Sequence, residues 1–244
     1  MKASHYLAVA LLLTGCVHAS RPTQIDPPMP EALNRIRLVS TGPVVIIGHN
    51  RTKNLDTIQL QGNAVEPAAI CTKFDASRDG SESVVIKAAP DASYGTVLLV
   101  ISAAQTAGFI RFGFANKVRG VATDPGAPAG FDKLMPKPTP RPIGLHIDYP
   151  HLIQVEASNS NRVWINGRRT NPRSLYKDLA RVIAFHASHR AEGYTTSIWL
   201  FADAATKWDT IIRILDAGHQ AGDDDVELRP PTLRNGEPVI ECPG

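Results

Sequence analysis

The chain has 244 residues, 43% of them hydrophobic and 20% charged, with a net charge of +3. That is an ordinary globular balance, long enough for one large or two small domains. So mild a basic excess, without a basic stripe interleaved with aromatics, argues against a nucleic-acid partner, and no apolar run after the first 15 residues reaches the ~20 that a spanning helix needs.

In chain order, the first feature is Lys2, an apolar stretch from Tyr6 to Leu13, and then Leu13-Thr14-Gly15-Cys16. A charged start, a short apolar core and small residues before a cut describe an export signal rather than a structural helix. The Leu-Thr-Gly-Cys ending resembles the lipobox of bacterial lipoproteins. The resemblance implies a cut before Cys16, acyl chains on its thiol and new amine, and a mature chain held on a membrane by lipid alone. Residues 1–15 then form the signal, and 16–35 the lipidated cysteine and a tether carrying Pro22, Pro27, Pro28 and Pro30. The expected location is the periplasmic side of the cell envelope. Val17 after the cysteine favours the outer over the inner membrane by the sorting habit of lipoproteins. Cys71 and Cys242 could pair in such an oxidising compartment, or stand as two unrelated thiols.

A second proline cluster, ending in Pro136-Lys137-Pro138-Thr139-Pro140-Arg141-Pro142, reads as an extended spacer and sets a linker at 121–143. Its flanks, 36–120 and 144–230, align at an offset of 114 residues (198 − 84). Val84-Val85-Ile86 lies over Ile198-Trp199-Leu200, Tyr94 over Trp208, Val100 over Ile214, and Ala107-Gly108 over Ala221-Gly222. Each copy reads as strand, helix, strand. Trp208, Ile211, Leu215 and Gly218 fall at helical spacing, and Asp209, Arg213 and Asp216 are expected on the wet side of that helix. Gly108 and Gly222 stand where a helix end favours a left-handed residue.

Upstream, Ile58-Gln59-Leu60-Gln61-Gly62 and Val163-Trp164-Ile165-Asn166-Gly167 recur at an offset of 105 (167 − 62). The second copy therefore holds nine extra residues (114 − 105), which lengthen a helix capped by Asn171 with Pro172 at its first position. Ser158-Asn159-Ser160-Asn161 between two apolar runs signals a hairpin. The expected fold is α+β: two tandem small two-layer domains, each one mixed sheet with two helices on one face, followed by a tail at 231–244. A strand–helix–strand unit of this length implies a parallel pair with a right-handed crossover.

This ordering resembles the periplasmic domain of the ExbD/TolR family of biopolymer transport proteins. The second copy carries the resemblance in Val163-Trp164-Ile165-Asn166-Gly167, Trp199-Leu200-Phe201-Ala202-Asp203, Trp208 and Ala221-Gly222. The first carries it in Val85-Ile86-Lys87-Ala88-Ala89, Tyr94-Gly95 and Ala107-Gly108-Phe109. The likeness implies a role beside proton-driven envelope machines, with ExbB/TonB-like or TolQ/TolA-like proteins or peptidoglycan as partners. Family members act as dimers, so a tandem copy would mimic such a dimer within one chain. They also carry a membrane helix with a proton-binding aspartate, and the only apolar segment here has no acidic residue. Asp203 matches the family's acidic position, where the first copy has Ala89.

Chemical motifs are few. His186 and His189 could share a metal, but no third ligand is evident, and histidine near a helix carboxyl end complements its dipole. Asp223-Asp224-Asp225 lacks the alternating ligand spacing of calcium loops and reads as a solvated turn. No nucleophile elbow, H-E-x-x-H or phosphate loop is present. Trp164, Trp199, Trp208 and Tyr94 are expected in cores, or in a groove for a peptide or glycan if exposed. Tyr94, Asp203 and Trp208 are the candidate binding surface. The sequence thus points to a non-catalytic module without a cofactor. A diverged envelope hydrolase or a peptidoglycan-binding structural lipoprotein is the alternative.

Overall fold

A computed structural model describes residues 29–32, 40–77, 81–118, 129–135, 152–189, 196–222 and 226–229. The signal stretch, Cys16, Asp223–Asp225, Cys242 and the tail lie outside these residues, as do 121–128 and 136–143 of the expected linker.

The first unit runs β1 (Glu31–Ala32), β2 (Val44–Asn50), β3 (Leu55–Leu60), β4 (Asn63–Val65), α1 (Ile70–Ala76), β5 (Ser83–Ala88), α2 (Tyr94–Thr106), β6 (Arg111–Val118) and β7 (Ala129–Leu134). The second runs β8 (Leu152–Ala157), β9 (Val163–Ile165), β10 (Arg168–Thr170), α3 (Leu175–His189), β11 (Ser197–Ala202), α4 (Trp208–Gln220) and β12 (Val226–Arg229). The fold is α+β, with two sheet-based units.

The two sheets share one plan. The first is ordered β4-β3-β2-β5-β6 and the second β10-β9-β8-β11-β12. In both, the three strands of the opening meander pair antiparallel, and the next two pairings are parallel. Segments matched by the 114-residue offset occupy equivalent strands and helices. Gly108 and Gly222 adopt the expected left-handed backbone, at φ 89° and 84°.

Four expectations about element boundaries are corrected. Each Gly62 or Gly167 turn leads into a short third strand rather than directly to a helix. Gln61-Gly62 and Asn166-Gly167 both have positive φ at two successive residues, the turn that joins twisted antiparallel strands most tightly. Residues 129–134, assigned to the linker, are β7, which pairs antiparallel with β6 over six residue pairs. Glu31 and Ala32, assigned to the tether, pair with the end of β6. The helix after Pro172 starts only at Leu175. Asn171 instead builds a preceding turn, its side chain accepting from the Arg173 amide at 3.0 Å and its carbonyl from the Ser174 amide at 2.9 Å.

In the second sheet one face is dry. Ile153, Val155, Val163, Ile165, Ile198, Leu200, Val226 and Leu228 are all buried. On the other face Trp164, Trp199 and Phe201 are half-buried, and Gln154 and Glu227 are exposed. There the Arg229 guanidinium lies 4.0 Å from the Trp199 ring centroid. One hydrophobic cluster runs through both units, from Val45 and Phe112 to Leu200 and Ile214. α4 is accordingly buried almost all round, with Ile212 and Asp216 enclosed as well as the expected stripe. The expected wet side of α4 is therefore reduced to Arg213 and the half-buried Asp209, because the other unit packs on it. Asp216 accepts a bond from Gln220 Nε2 at 3.0 Å.

Candidate functional site at the seam between the two units

The loops that lead into α2 and α4 lie against one another. Ser93 and Lys207, matched by the 114-residue offset, form an antiparallel bridge. Around that point the backbone bonds come in reciprocal pairs. Tyr94 N–H donates to the Thr206 carbonyl at 2.8 Å, and Trp208 N–H donates to the Ala92 carbonyl at 2.8 Å. Gly95 N–H donates to Ala204 at 2.8 Å, and Asp209 N–H donates to Pro90 at 3.0 Å. Each relation maps onto its partner when 114 is added or subtracted, the signature of a two-fold, self-complementary interface. The first N–H groups of a helix have no partner within it. Here each helix start is satisfied by carbonyls of the other unit.

The side chains repeat the exchange. Tyr94, fully buried, donates its hydroxyl to the Arg229 carbonyl in β12 at 2.9 Å. Burial pushes its phenol far above the ordinary range, so it stays neutral and donating. Trp208, equally buried, packs on Phe114 in β6 with ring centroids 5.3 Å apart. Each aromatic therefore reaches the strand that follows the matching helix of the opposite unit, β12 after α4 or β6 after α2. The Trp208 indole N–H has no acceptor among the described residues, which ranks its shape above its polarity. Gly95 stands at a close approach: a Cβ there would be 3.0 Å from the Ala204 Cβ, a tight contact that Ala204 would have to ease.

Two clefts flank the seam at equivalent places. The larger, about 910 Å³, includes His49, Arg51, Asp56, Asp91, Thr96 and Lys207 in its lining. The smaller, about 280 Å³, includes Asn161, Pro172, Asp209, Thr210 and Arg213. Thr96 Oγ1 donates to Asp56 at 2.7 Å in one, and Thr210 Oγ1 donates to Asn161 at 2.9 Å in the other. Asp56 and Asn161 match at the 105-residue offset, as do Pro67 and Pro172.

Divergence between the clefts is electrostatic. Asp56 collects the Ser93 amide at 3.0 Å, the Ser93 hydroxyl at 2.6 Å, Thr96, and His49 Nδ1 at 2.8 Å. Burial opposes its ionisation. The bonds from Ser93, Thr96 and His49 outweigh burial, and its carboxyl sits below the usual range. Histidine, aspartate and serine thus meet in a cleft, but the carboxylate lies between the other two. His49 does not face Ser93 as a base must to activate a nucleophile. The cluster fastens the β2–β3 hairpin to the start of α2. At the cleft rim Asp91 bridges the units, accepting from Lys207 Nζ at 2.9 Å and from the Arg51 guanidinium at 2.6 Å. Those two bonds, Lys207 first, hold its carboxyl low.

The candidate binding surface is divided by this arrangement. Tyr94 and Trp208 are not open to a ligand, because the two units bury them against each other. Asp203 is exposed, and its carboxylate lies 3.4 Å from the Asn159 amide. Cys71 is in α1 and is disulfide-bonded. Cys16 and Cys242 both lie outside the described residues. His186 packs edge-on to Phe185, and among the described residues no three metal-ligating side chains converge. Asp56, Asn161, Asp91 and Lys207 were missed in the sequence. The equal spacing of Asp56 to Gly62 and Asn161 to Gly167 was the signal that could have found the first two. Compared with protein-family models and with curated proteins, the chain finds no match.

Proposed function

We propose that this chain is a lipid-tethered binding module of the cell envelope, an ExbD/TolR-like pseudo-dimer that docks on a Ton- or Tol-type apparatus without carrying its protons. The reciprocal seam is the observation that supports this most. A surface that would join two chains is satisfied within one, so the chain presents a finished two-fold platform. The absence of an acidic residue from the amino-terminal apolar segment supports a role beside the motor rather than in it. The placement of Asp56 between Ser93 and His49 supports binding over hydrolysis.

Docking uses the larger cleft and the neighbouring strand ends, to which both units contribute. Among the described residues β12 ends its sheet, whereas its counterpart β6 carries β7, so an extended partner segment can add to β12. The test is capture of the full chain from crosslinked envelopes, with a photo-crosslinker at the exposed Glu227 and another at the exposed Asp75 in α1, away from the cleft. Recovery of ExbB-, TonB- or Tol-like subunits through Glu227 but not Asp75 is the expected result. Recovery of none, with measurable hydrolysis of wall fragments, overturns it in favour of an envelope hydrolase.

A further inference from the structure

We infer that the outer side of the β10–α3 segment is a docking surface for an anionic phospholipid bilayer. The inference is independent of the proposed partner and cleft. Between residues 168 and 181 stand Arg168, Arg169, Arg173, Lys177 and Arg181, all exposed, against one acidic side chain, Asp178. Asp178 is turned to structural work, accepting the hydroxyls of Thr170 and Ser174, which hold its carboxyl low. Arg181 only brushes it, at 3.7 Å, with its side chain 80% exposed.

The cations are ordered. Lys177, Arg181 and Phe185 recur every four residues along α3, the spacing that aligns side chains along one strip of a helix, and Arg173 stands in the turn just before it. Phe185 is 60% exposed and Tyr176, on the other flank, is 45% exposed. The opposite side of α3 is engaged: Leu175 and Leu179 are buried, and Val182 and Ile183 pack on the core. Only the basic side is left outward. Basic residues with flanking aromatics are the pattern of a helix lying in a membrane interface, where headgroups take the charges and rings enter the acyl boundary. A nucleic-acid duplex would use the cations but, with its bases stacked inside, gains little from rings on the flanks.

The equivalent segment of the first unit sharpens the case. Residues 63–77 carry Lys73 against Glu66 and Asp75, and α1 spans 7 residues where α3 spans 15. Both the nine-residue extension and the positive charge therefore belong to one unit of an otherwise matched pair. The core does not require either, since α1 closes its own sheet without them.

The test is co-sedimentation of the full chain with vesicles of phosphatidylglycerol and phosphatidylcholine, against vesicles of phosphatidylcholine alone, across a salt series. The amino-terminal apolar stretch contributes equally to every variant, so the difference between the two lipids is read. Preference for anionic vesicles is expected, falling steeply with salt. The triple variant Arg173→Glu, Lys177→Glu, Arg181→Glu should weaken that preference by about 100-fold or more, at roughly fivefold per cation removed. The triple glutamine variant, gentler on the fold, should lose about 100-fold. Reversal of Lys53, Lys73 and Arg111, equal in charge but elsewhere, should retain most of the preference. Equal binding to both lipids overturns the inference, as do equal losses in the two reversal variants or full competition by a DNA duplex at matched salt.

Discussion

Replacing Asp56 tests whether the cleft cluster is a fastening or a latent reaction centre. Its side chain is 9% exposed and accepts four bonds from three residues. In Asp56→Ala the Ser93 and Thr96 hydroxyls, 2.9 Å apart, can still bond to each other. His49 can turn to water, which leaves the Ser93 amide as the donor with no replacement. Loss of a charged acceptor at a helix cap plus one stranded amide amounts to about 2–3 kcal/mol. Asp56→Asn, which installs the residue its counterpart Asn161 already uses, should cost only about 1 kcal/mol. The folded carboxyl titrates below its unfolded value of about 3.9, so the stability it adds is complete above that pH. It is lost as pH falls through the folded value. Urea unfolding of wild type and Asp56→Ala, followed by far-ultraviolet circular dichroism, should show a gap that is constant near neutrality and narrows below about pH 4. A gap under about 0.5 kcal/mol at pH 7, or one unchanged at pH 2, would refute the fastening.

The remaining predictions concern the seam. Trp208→Ala removes a fully buried ring shared between α4 and β6 and should cost about 3–5 kcal/mol. Because the two units share one core, the loss should appear as a shift of a single transition, and a second transition left in place would count against that coupling. Gly95→Leu puts a side chain where only 3.0 Å is free to the Ala204 Cβ. It should raise hydrogen exchange at the Tyr94 and Trp208 amides together by tenfold or more, while the Val85 and Leu200 amides keep their protection. Exchange that rises at Tyr94 alone would break the reciprocity of the seam. Tyr94→Phe strands the Arg229 carbonyl and should cost about 1 kcal/mol, read from the same urea titration. No change would mean that this hydroxyl does not hold β12.

Much of the architecture was legible because it was written twice. The stretch from Thr96 to Ile101 is apolar enough to pass for a strand, and the charged residues of α4 at the matched positions resolve it as a helix. The recurrence of the segments ending in Gly62 and Gly167 was visible, yet the strands behind them were not. Asn63-Ala64-Val65 and Arg168-Arg169-Thr170 are too short and too polar to show an alternating pattern, and only pairing across the turn defines them. β7 was hidden for a different reason: it lies between two proline-rich stretches, and its place is set by the free edge of β6, a partner remote in sequence.

What the sequence determined by itself is the internal duplication, the strand–helix–strand order at the centre of each copy, and the helix ends at Gly108 and Gly222. These follow from local chemistry: side-chain periodicity, β-branched runs and the backbone freedom of glycine. Only the tertiary structure decided that Tyr94 and Trp208 close a seam instead of facing a ligand, and that Asp216 is enclosed. It also decided that Asp56 fastens a hairpin to a helix. Each of those outcomes depends on which surface meets which, and the burial of a residue by a partner about a hundred positions away leaves no periodic trace around it.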